Sequence, residues 1–213
     1  MVMIALIILV PLDFELVSGL AANEAGIRLI PMTGGTVLGS FIAGQLVTRT
    51  GRYRIYPISG AVAMTGLCAA LAFYGLGRSA TGGLGLYFGF RLSPVVVSVQ
   101  NALELADTGI GLSVLMFFRL IGGAFGVALL TALLLGELNA GALSVPGHTV
   151  LGANPGIALL HLDQSEGIDP ALMQGLERVL HAAFKHVFLY ATGISAVTAI
   201  GSFGLKEIPL RTS

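Results

Sequence analysis

The chain has 213 residues, of which 55% are hydrophobic and only 10% are charged, and its formal net charge is zero. Soluble domains carry about 25% charged residues, so this chain has too little charge to cover a water-soluble globule. The composition therefore predicts an integral membrane protein whose main partner is the lipid bilayer. The neutral charge balance argues against nucleic acid as a partner.

A membrane-spanning helix needs about 20 mostly apolar residues, and we predict six such helices in an all-α fold. In chain order they cover residues 1–18, 25–47, 55–76, 83–101, 109–136 and 184–205. The one long connection, 137–183, contains a predicted short helix that leads into the sixth span. Asp169 is the expected N-cap of that helix and Pro170 its first residue. Residues 206–213 form the expected tail.

The orientation is predicted from three arginines in the short connection after the second helix: Arg49, Arg52 and Arg54. Because cytoplasmic loops of membrane proteins are enriched in Lys and Arg, we expect this loop in the cytoplasm. Alternation of the helices then places the C-terminal tail in the cytoplasm and the connection 137–183 outside. The expected location is the cytoplasmic (inner) membrane of the cell.

The same loop carries the most specific motif in the chain. Residues 44–54, GQLVTRTGRYR, resemble the G-x-x-x-D-R-x-G-R-R/K loop motif of the major facilitator superfamily of transporters, with Thr48 in place of the acidic residue. The matching positions are Gly44, Arg49, Gly51, Arg52 and Arg54. In that family the loop is thought to latch neighbouring helices during alternating access. A basic loop that only sets the orientation is the alternative interpretation.

Two longer segments resemble the fourteen-helix drug:proton antiporter (EmrB/QacA-type) branch of that superfamily. Residues 10–35 are similar to its P-L-Y-F-[QE] segment, with Asp13 where Tyr is usual. Residues 97–130 are similar to its VQNA and FFR-x-x-GGA-x-G-x-A segments. The matches there are Gln100, Asn101, Gly109, Ser113, Phe118, Arg119, Gly122, Gly123, Gly126 and Ala128. The resemblance implies the last six of fourteen helices, with the preceding helices missing.

Four charged residues are candidates for a substrate path or for proton coupling: Arg119, Arg91, Glu15 and Asp13. Arg119 lies about ten residues into its helix, so it either faces a partner or cavity or snorkels to the headgroups. Arg91 has three open interpretations: contact with an anionic substrate, an ion pair with Asp13 or Glu15, or sequence drift. We expect both carboxylates to be solvated at the outer interface. If one couples protons, Glu15 is favoured because the branch allows Gln or Glu there.

Glycines are expected to bring membrane helices into close contact. The pattern on the fifth helix predicts packing positions at Gly122, Gly123 and Gly126, and a second group of glycines has the same interpretation: Gly82, Gly83, Gly85 and Gly89.

No catalytic constellation or metal-ligand spacing is recognisable in the sequence, so we predict neither an enzyme nor a metal or other cofactor, and we expect the four histidines to be solvated. The family resemblance implies export of drugs or other small molecules, driven by a proton gradient. Because only one helical bundle is recognisable, the isolated chain is expected to be incomplete. Two alternatives stay open: a half-transporter that pairs with a second copy or a separate half, and a non-transport accessory protein.

Overall fold

The computed structural model describes residues 2–50, 55–74, 78–104, 106–146 and 170–204. The secondary structure in these ranges is entirely helical. The helices are α1 (Val2–Leu16), α2 (Ala22–Arg28), α3 (Ile30–Thr50), α4 (Ile55–Tyr74), α5 (Arg78–Ala102), α6 (Thr108–Leu143) and α7 (Pro170–Ser202). The prediction of an all-α membrane fold is thereby confirmed.

Five helical segments are long and apolar enough to cross a membrane: Asn23–Thr50 (α2 with α3), Ile55–Tyr74, Thr81–Ala102, Thr108–Leu143 and Met173–Ser202. Helix α1 has 15 residues, or about 22 Å at 1.5 Å per residue, which is less than the ~30 Å hydrocarbon core. Helices α6 and α7 have 36 and 33 residues. Both are longer than the spans 109–136 and 184–205 expected from hydropathy, so they extend beyond a bilayer of ordinary thickness.

The predicted helix 25–47 is interrupted at Leu29, and Pro31 explains the interruption. Proline has no N–H to donate to the carbonyl four residues earlier, and it is tolerated in the first turn of a helix. The Leu29 N–H donates to the Gly26 carbonyl at 3.0 Å and so closes α2. Regular helix then resumes at Ile30, and α2 and α3 together form one span.

Contacts between helices show that α3, α5 and α7 run in one direction and α4 and α6 in the other. Helix α3 is parallel to α5, whereas α4 is antiparallel to both α5 and α7, and α6 is antiparallel to α7. Helix α3 contacts α5 at Gly35–Gly82 and Gly44–Ser93. Helix α4 contacts α5 at Leu67–Gly83 and Tyr56–Phe90, and it contacts α7 at Thr65–Ser195 and Phe73–Lys185. Helix α6 contacts α7 at Gly141–Val179 and Val145–Gly175. We call the end of the bundle where α3, α5 and α7 finish the Arg49 end.

The most extensive helix contacts are α3 with α5, α4 with α7, and α4 with α5, followed by α6 with α7 and α1 with α6. Three of these pairs, α1 with α6, α3 with α5 and α4 with α7, are preserved as a set when α1, α3 and α4 are exchanged with α5, α6 and α7. Because α3 and α4 run opposite to α6 and α7, the two three-helix groups have inverted orientations. Inverted repeats of this kind are common in secondary transporters, where substrate sites lie at the interface between repeats.

Candidate functional site

A cavity of ≈ 380 Å³ lies inside the bundle, where α1, α4, α5, α6 and α7 meet. Small-molecule sites in proteins have volumes of about 300–1,000 Å³. The lining is mainly aliphatic, aromatic and thioether side chains, among them Met64, Phe88 and Met116. Tyr87, Ser195, Thr198 and Arg119 supply its polar groups. We call this space the Arg119 cavity.

Arg119 is the charged member of the described lining, and α6 brings it there. It is half-buried and lies about 17 Å along α6 from Thr108, at 1.5 Å per residue. Its guanidinium carbon is 5.5 Å from the centre of the Phe88 ring, and its Nη1 is 4.0 Å from the sulfur of Met116. Of the two surroundings expected for Arg119, the structure shows a cavity inside the bundle.

No carboxylate forms a salt bridge with Arg119 among the described residues, where the one such pair is Glu137 with His186. An arginine at a helix centre costs about 2.5–3.5 kcal/mol on insertion scales. A cation–π contact returns about 0.5–2 kcal/mol. The Phe88 ring therefore offsets only part of the cost of burying this charge, and an anionic partner would offset the remainder.

The two carboxylates of α1 have different surroundings, which corrects the expectation that both are solvated. Asp13 is only 5% exposed, because it shares the buried face of α1 with Val10 and Phe14, and α1 packs against α2 and α6. Glu15 is half-buried. In the part of the chain that the structure describes, no ion pair involves Asp13. Arg91 lies in α5, but its side chain is outside the described residues.

The loop motif is only partly within the described residues. Gly44 and Arg49 belong to α3, and Gly51, Arg52 and Arg54 lie outside the described ranges. A Cβ on Gly44 would lie 3.4 Å from the Ser93 hydroxyl oxygen, so α3 and α5 are close at this point. Arg49 is exposed in the last turn of α3, where a cation complements the helix dipole.

The closest approach between helices is not at the glycines predicted on α6. There, Gly123 faces the side chain of Ile4, Gly126 is buried and Gly122 lines the Arg119 cavity. Backbone meets backbone between α3 and α5 instead. A Cβ would overlap backbone atoms of the facing helix at Gly35, Gly39, Gly85 and Gly89. Gly85 and Gly89 belong to the glycine group that was predicted to pack, whereas Gly35 and Gly39 were not predicted, although their four-residue spacing was the available signal.

A polar cluster that sequence reasoning missed joins α6 to α7. One carboxylate oxygen of Glu137 is 2.9 Å from the His186 Nδ1 atom, and the other accepts a 2.8 Å hydrogen bond from the Tyr190 hydroxyl. The expectation of solvated histidines was incomplete, because His186 is about half exposed but paired. Its four-residue spacing from Tyr190 places both on one helix face. We call these three residues the Glu137 cluster.

The described fold and the Arg119 cavity define a multi-pass membrane bundle with a small-molecule-sized internal space. No protein-family model matches the chain. It is, however, 31% identical to an MFS-type (major facilitator) transporter of Mycobacterium tuberculosis over 98% of its own length and 31% of that protein. It is 28% identical to the MFS-type transporter olcL of Penicillium canescens, over 94% of this chain and 35% of the other.

An MFS-type efflux pump of Trichophyton rubrum is 27% identical over 92% of this chain and 37% of the pump. The chain thus spans about a third of the length of the curated relatives it matches. These relatives are named as MFS-type transporters and efflux pumps, and they support the resemblance to the major facilitator superfamily. The protein is a multi-pass membrane protein.

Proposed function

We propose that this chain is the C-terminal portion of a secondary active transporter of the fourteen-helix drug:proton antiporter branch, which exports drugs or other small molecules. The observation that carries the proposal is the Arg119 cavity, which lies inside a bundle similar over nearly its whole length to transporters. In such proteins, substrate sites lie near the midplane of the bilayer, and one helical group rocks against the other.

In this proposal the Arg49 end faces the cytoplasm of a cell with this protein in its cytoplasmic (inner) membrane. Support comes from the arginines of the α3–α4 connection, since short basic loops are retained on the cytoplasmic side. The region between α6 and α7 then lies outside, and residues 206–213 lie in the cytoplasm. Arg49, the described arginine of that loop, is exposed.

Proton coupling would use Asp13 rather than Glu15. A buried carboxylate is costly to ionise, so its protonation responds strongly to a change in its surroundings. Asp13 is buried and without a salt bridge among the described residues, whereas Glu15 is half-buried. Binding of a proton at Asp13 on one side of the membrane and its release on the other would link proton entry to export.

Helices α3 and α6 leave large apolar side chains exposed. Phe41 on α3 is 64% exposed, and Phe118 and Phe125 on α6 are 68% and 66% exposed. Lipid can cover such a surface, but so can further helices, and the relatives are about three times as long as this chain. We propose that the preceding helices of a longer transporter cover part of these faces. A second copy of the chain is the alternative.

The function is tested by reconstituting the chain into lipid vesicles, alone and together with the preceding helices of the Mycobacterium tuberculosis relative. Transport of a radiolabelled small molecule that the intact relative exports is measured with and without an imposed proton gradient. The proposal predicts gradient-driven transport only in the combined vesicles, and its loss on addition of a protonophore.

Each other outcome favours a different account. Transport by the chain alone would favour a half-transporter that pairs with a second copy. An assembled complex without any transport, in vesicles where the intact relative is active, would contradict the proposal and favour a non-transport accessory protein.

A further inference from the structure

We infer that the Arg119 cavity binds the carboxylate group of an amphipathic small molecule, such as an aromatic acid. This inference rests on the proposed function and narrows its substrate class. Among the lining residues that the structure describes, the cavity combines one cation, Arg119, with mainly apolar walls. A cationic ligand would meet the guanidinium of Arg119 as a like charge at low dielectric, where repulsion is strong. A carboxylate would supply the counter-charge that the described residues do not.

The contacts around Arg119 favour a ligand that carries a negative charge. The guanidinium contacts the face of Phe88 and the sulfur of Met116, and neither is an anion. Arginine pairs with carboxylates through two parallel hydrogen bonds, so it favours this group over a neutral amide. The half-buried position keeps the guanidinium reachable from the cavity.

Ser195 supplies a second, independent feature. It is 3% exposed and lines the cavity. The Thr65 hydroxyl, which also donates to the Ala61 carbonyl at 2.9 Å, lies 3.1 Å from the Ser195 oxygen. Because Thr65 also has a partner in its own helix, the Ser195 hydroxyl can rotate to donate to a carboxylate oxygen in the cavity. The cavity lining thus contains a cation and a neutral hydroxyl donor.

The remaining walls fit the apolar part of such a ligand. Tyr87 and Phe88 present rings, and Met64 and Met116 present flexible, polarizable thioethers that adapt to differently shaped apolar groups. The volume of ≈ 380 Å³ accommodates a bicyclic aromatic acid. The inferred class is therefore defined by one carboxylate on a compact aromatic body, with the aromatic part left unspecified.

The experiment compares three probes with the same aromatic body: 1-naphthaleneacetate, its neutral amide, and 1-naphthaleneethylamine. Binding to the full chain in lipid nanodiscs is measured by equilibrium dialysis, with empty nanodiscs as the background. We expect the carboxylate to bind about ten- to a hundredfold more tightly than the amide, as for a hydrogen bond to a charged group. The amine is expected to bind most weakly.

Two arginine variants make the comparison specific. Arg119→Gln should remove the preference for the carboxylate over the amide, and Arg119→Lys should retain part of it. Arg28→Gln is the matched control, because Arg28 also lies over a phenylalanine ring, Phe14 at 5.4 Å, but does not line the cavity. It should keep the full preference. Ser195→Ala should reduce carboxylate affinity about two- to tenfold.

Equal binding of carboxylate and amide to the unaltered chain would overturn the inference while leaving the cavity as a ligand site. A carboxylate preference that survives Arg119→Gln, in a variant that still binds the amide and is therefore folded, would overturn it as well. If no probe binds above the empty-nanodisc background, the cavity is not a ligand site, and the observation that carries the proposed function fails with it.

Discussion

Helices α3 and α5 meet backbone to backbone, whereas α6 and α7 meet through side chains. At the first interface, glycines on both helices bring backbone against backbone at four positions, Gly35, Gly39, Gly85 and Gly89. At the second, Gly141 and Gly175 receive the side chains of Val179 and Val145, and the Glu137 cluster adds polar bonds. In lipid, no hydrophobic effect drives helices together, so they associate by packing and by interhelical hydrogen bonds.

This difference predicts how each interface responds to change. A backbone contact cannot be adjusted by a rotamer change, so α3 and α5 should behave as one rigid pair. Valine side chains and a hydrogen-bonded carboxylate can rearrange, so α6 and α7 should tolerate substitution and small movements. The Arg119 cavity draws residues from α5, α6 and α7. The cavity therefore lies between the α3–α5 pair, which we expect to be rigid, and the α6–α7 pair, which we expect to adjust.

The largest expected effect comes from adding one methyl group to the rigid interface. In Gly35→Ala the new Cβ would overlap the Gly82 carbonyl oxygen and lie 2.8 Å from the Leu86 amide nitrogen. Overpacking of this kind costs about 1–3 kcal/mol, sometimes more. We expect a loss of at least that size in the free energy of unfolding, measured by titration with a denaturing detergent.

Gly34→Ala is the matched control, because nothing lies within 4 Å of the new Cβ at that position. Alanine is favoured over glycine in a helix by about 0.8–1.0 kcal/mol. The free energy of unfolding of Gly34→Ala should therefore equal or exceed that of the unaltered chain. Equal destabilisation by both substitutions would show that the backbone contact between α3 and α5 is not what limits this interface.

An intermediate effect is expected at the α6–α7 interface when the Glu137 cluster is opened. Polar bonds between membrane helices are worth about 0.6 kcal/mol on average and about 1.7 kcal/mol at most. Glu137→Leu removes both bonds at once and should destabilise the chain within that range, by the same detergent titration.

A double-mutant cycle separates the pairwise bond from other effects of the substitution. Tyr190→Phe alone and together with Glu137→Leu should show positive coupling, since the hydroxyl and the carboxylate are 2.8 Å apart. Strictly additive effects would mean that the Tyr190 bond contributes nothing measurable to the contact between α6 and α7.

The smallest effect is expected where α4 meets α7. Thr65 donates both to the Ala61 carbonyl of its own helix and to Ser195, so the bond between helices is shared. Thr65→Val should lower the free energy of unfolding by about 0.6 kcal/mol or less. Thr192→Val, whose hydroxyl bonds only the Phe188 carbonyl of its own helix, should change it even less. If Thr65→Val lowered the free energy of unfolding as much as Gly35→Ala, the contact between α4 and α7 would matter as much as that between α3 and α5, which contradicts the expected order.

Local patterns in the sequence predicted the features that depend on one helix at a time. Hydropathy predicted the apolar helices, and the group of glycines within α5 predicted close packing there. Features that depend on the register between helices were not predictable. Glu137 and His186 are 49 residues apart, and their pairing depends on how far α6 and α7 extend past the bilayer.

The burial of Asp13 was not predictable from the sequence either, although it concerns the faces of a single helix. Its distance from the end of α1 suggested an interfacial, solvated carboxylate, and the resemblance favoured Glu15 for coupling. Burial instead depends on which face of α1 packs against α2 and α6, and hydropathy carries no such information where most residues are apolar. Arg119 was more predictable, because a charge deep in a helix must face a partner, a cavity or the headgroups.

The most direct test of the account is transport by the chain assembled with the preceding helices of a relative, with Asp13→Asn compared to Glu15→Gln. Exchange of labelled for unlabelled 1-naphthaleneacetate needs no net proton movement, whereas uphill transport does. The account predicts that Asp13→Asn keeps exchange but loses proton-driven accumulation, and that Glu15→Gln keeps both. Undiminished proton-driven accumulation in Asp13→Asn would contradict it.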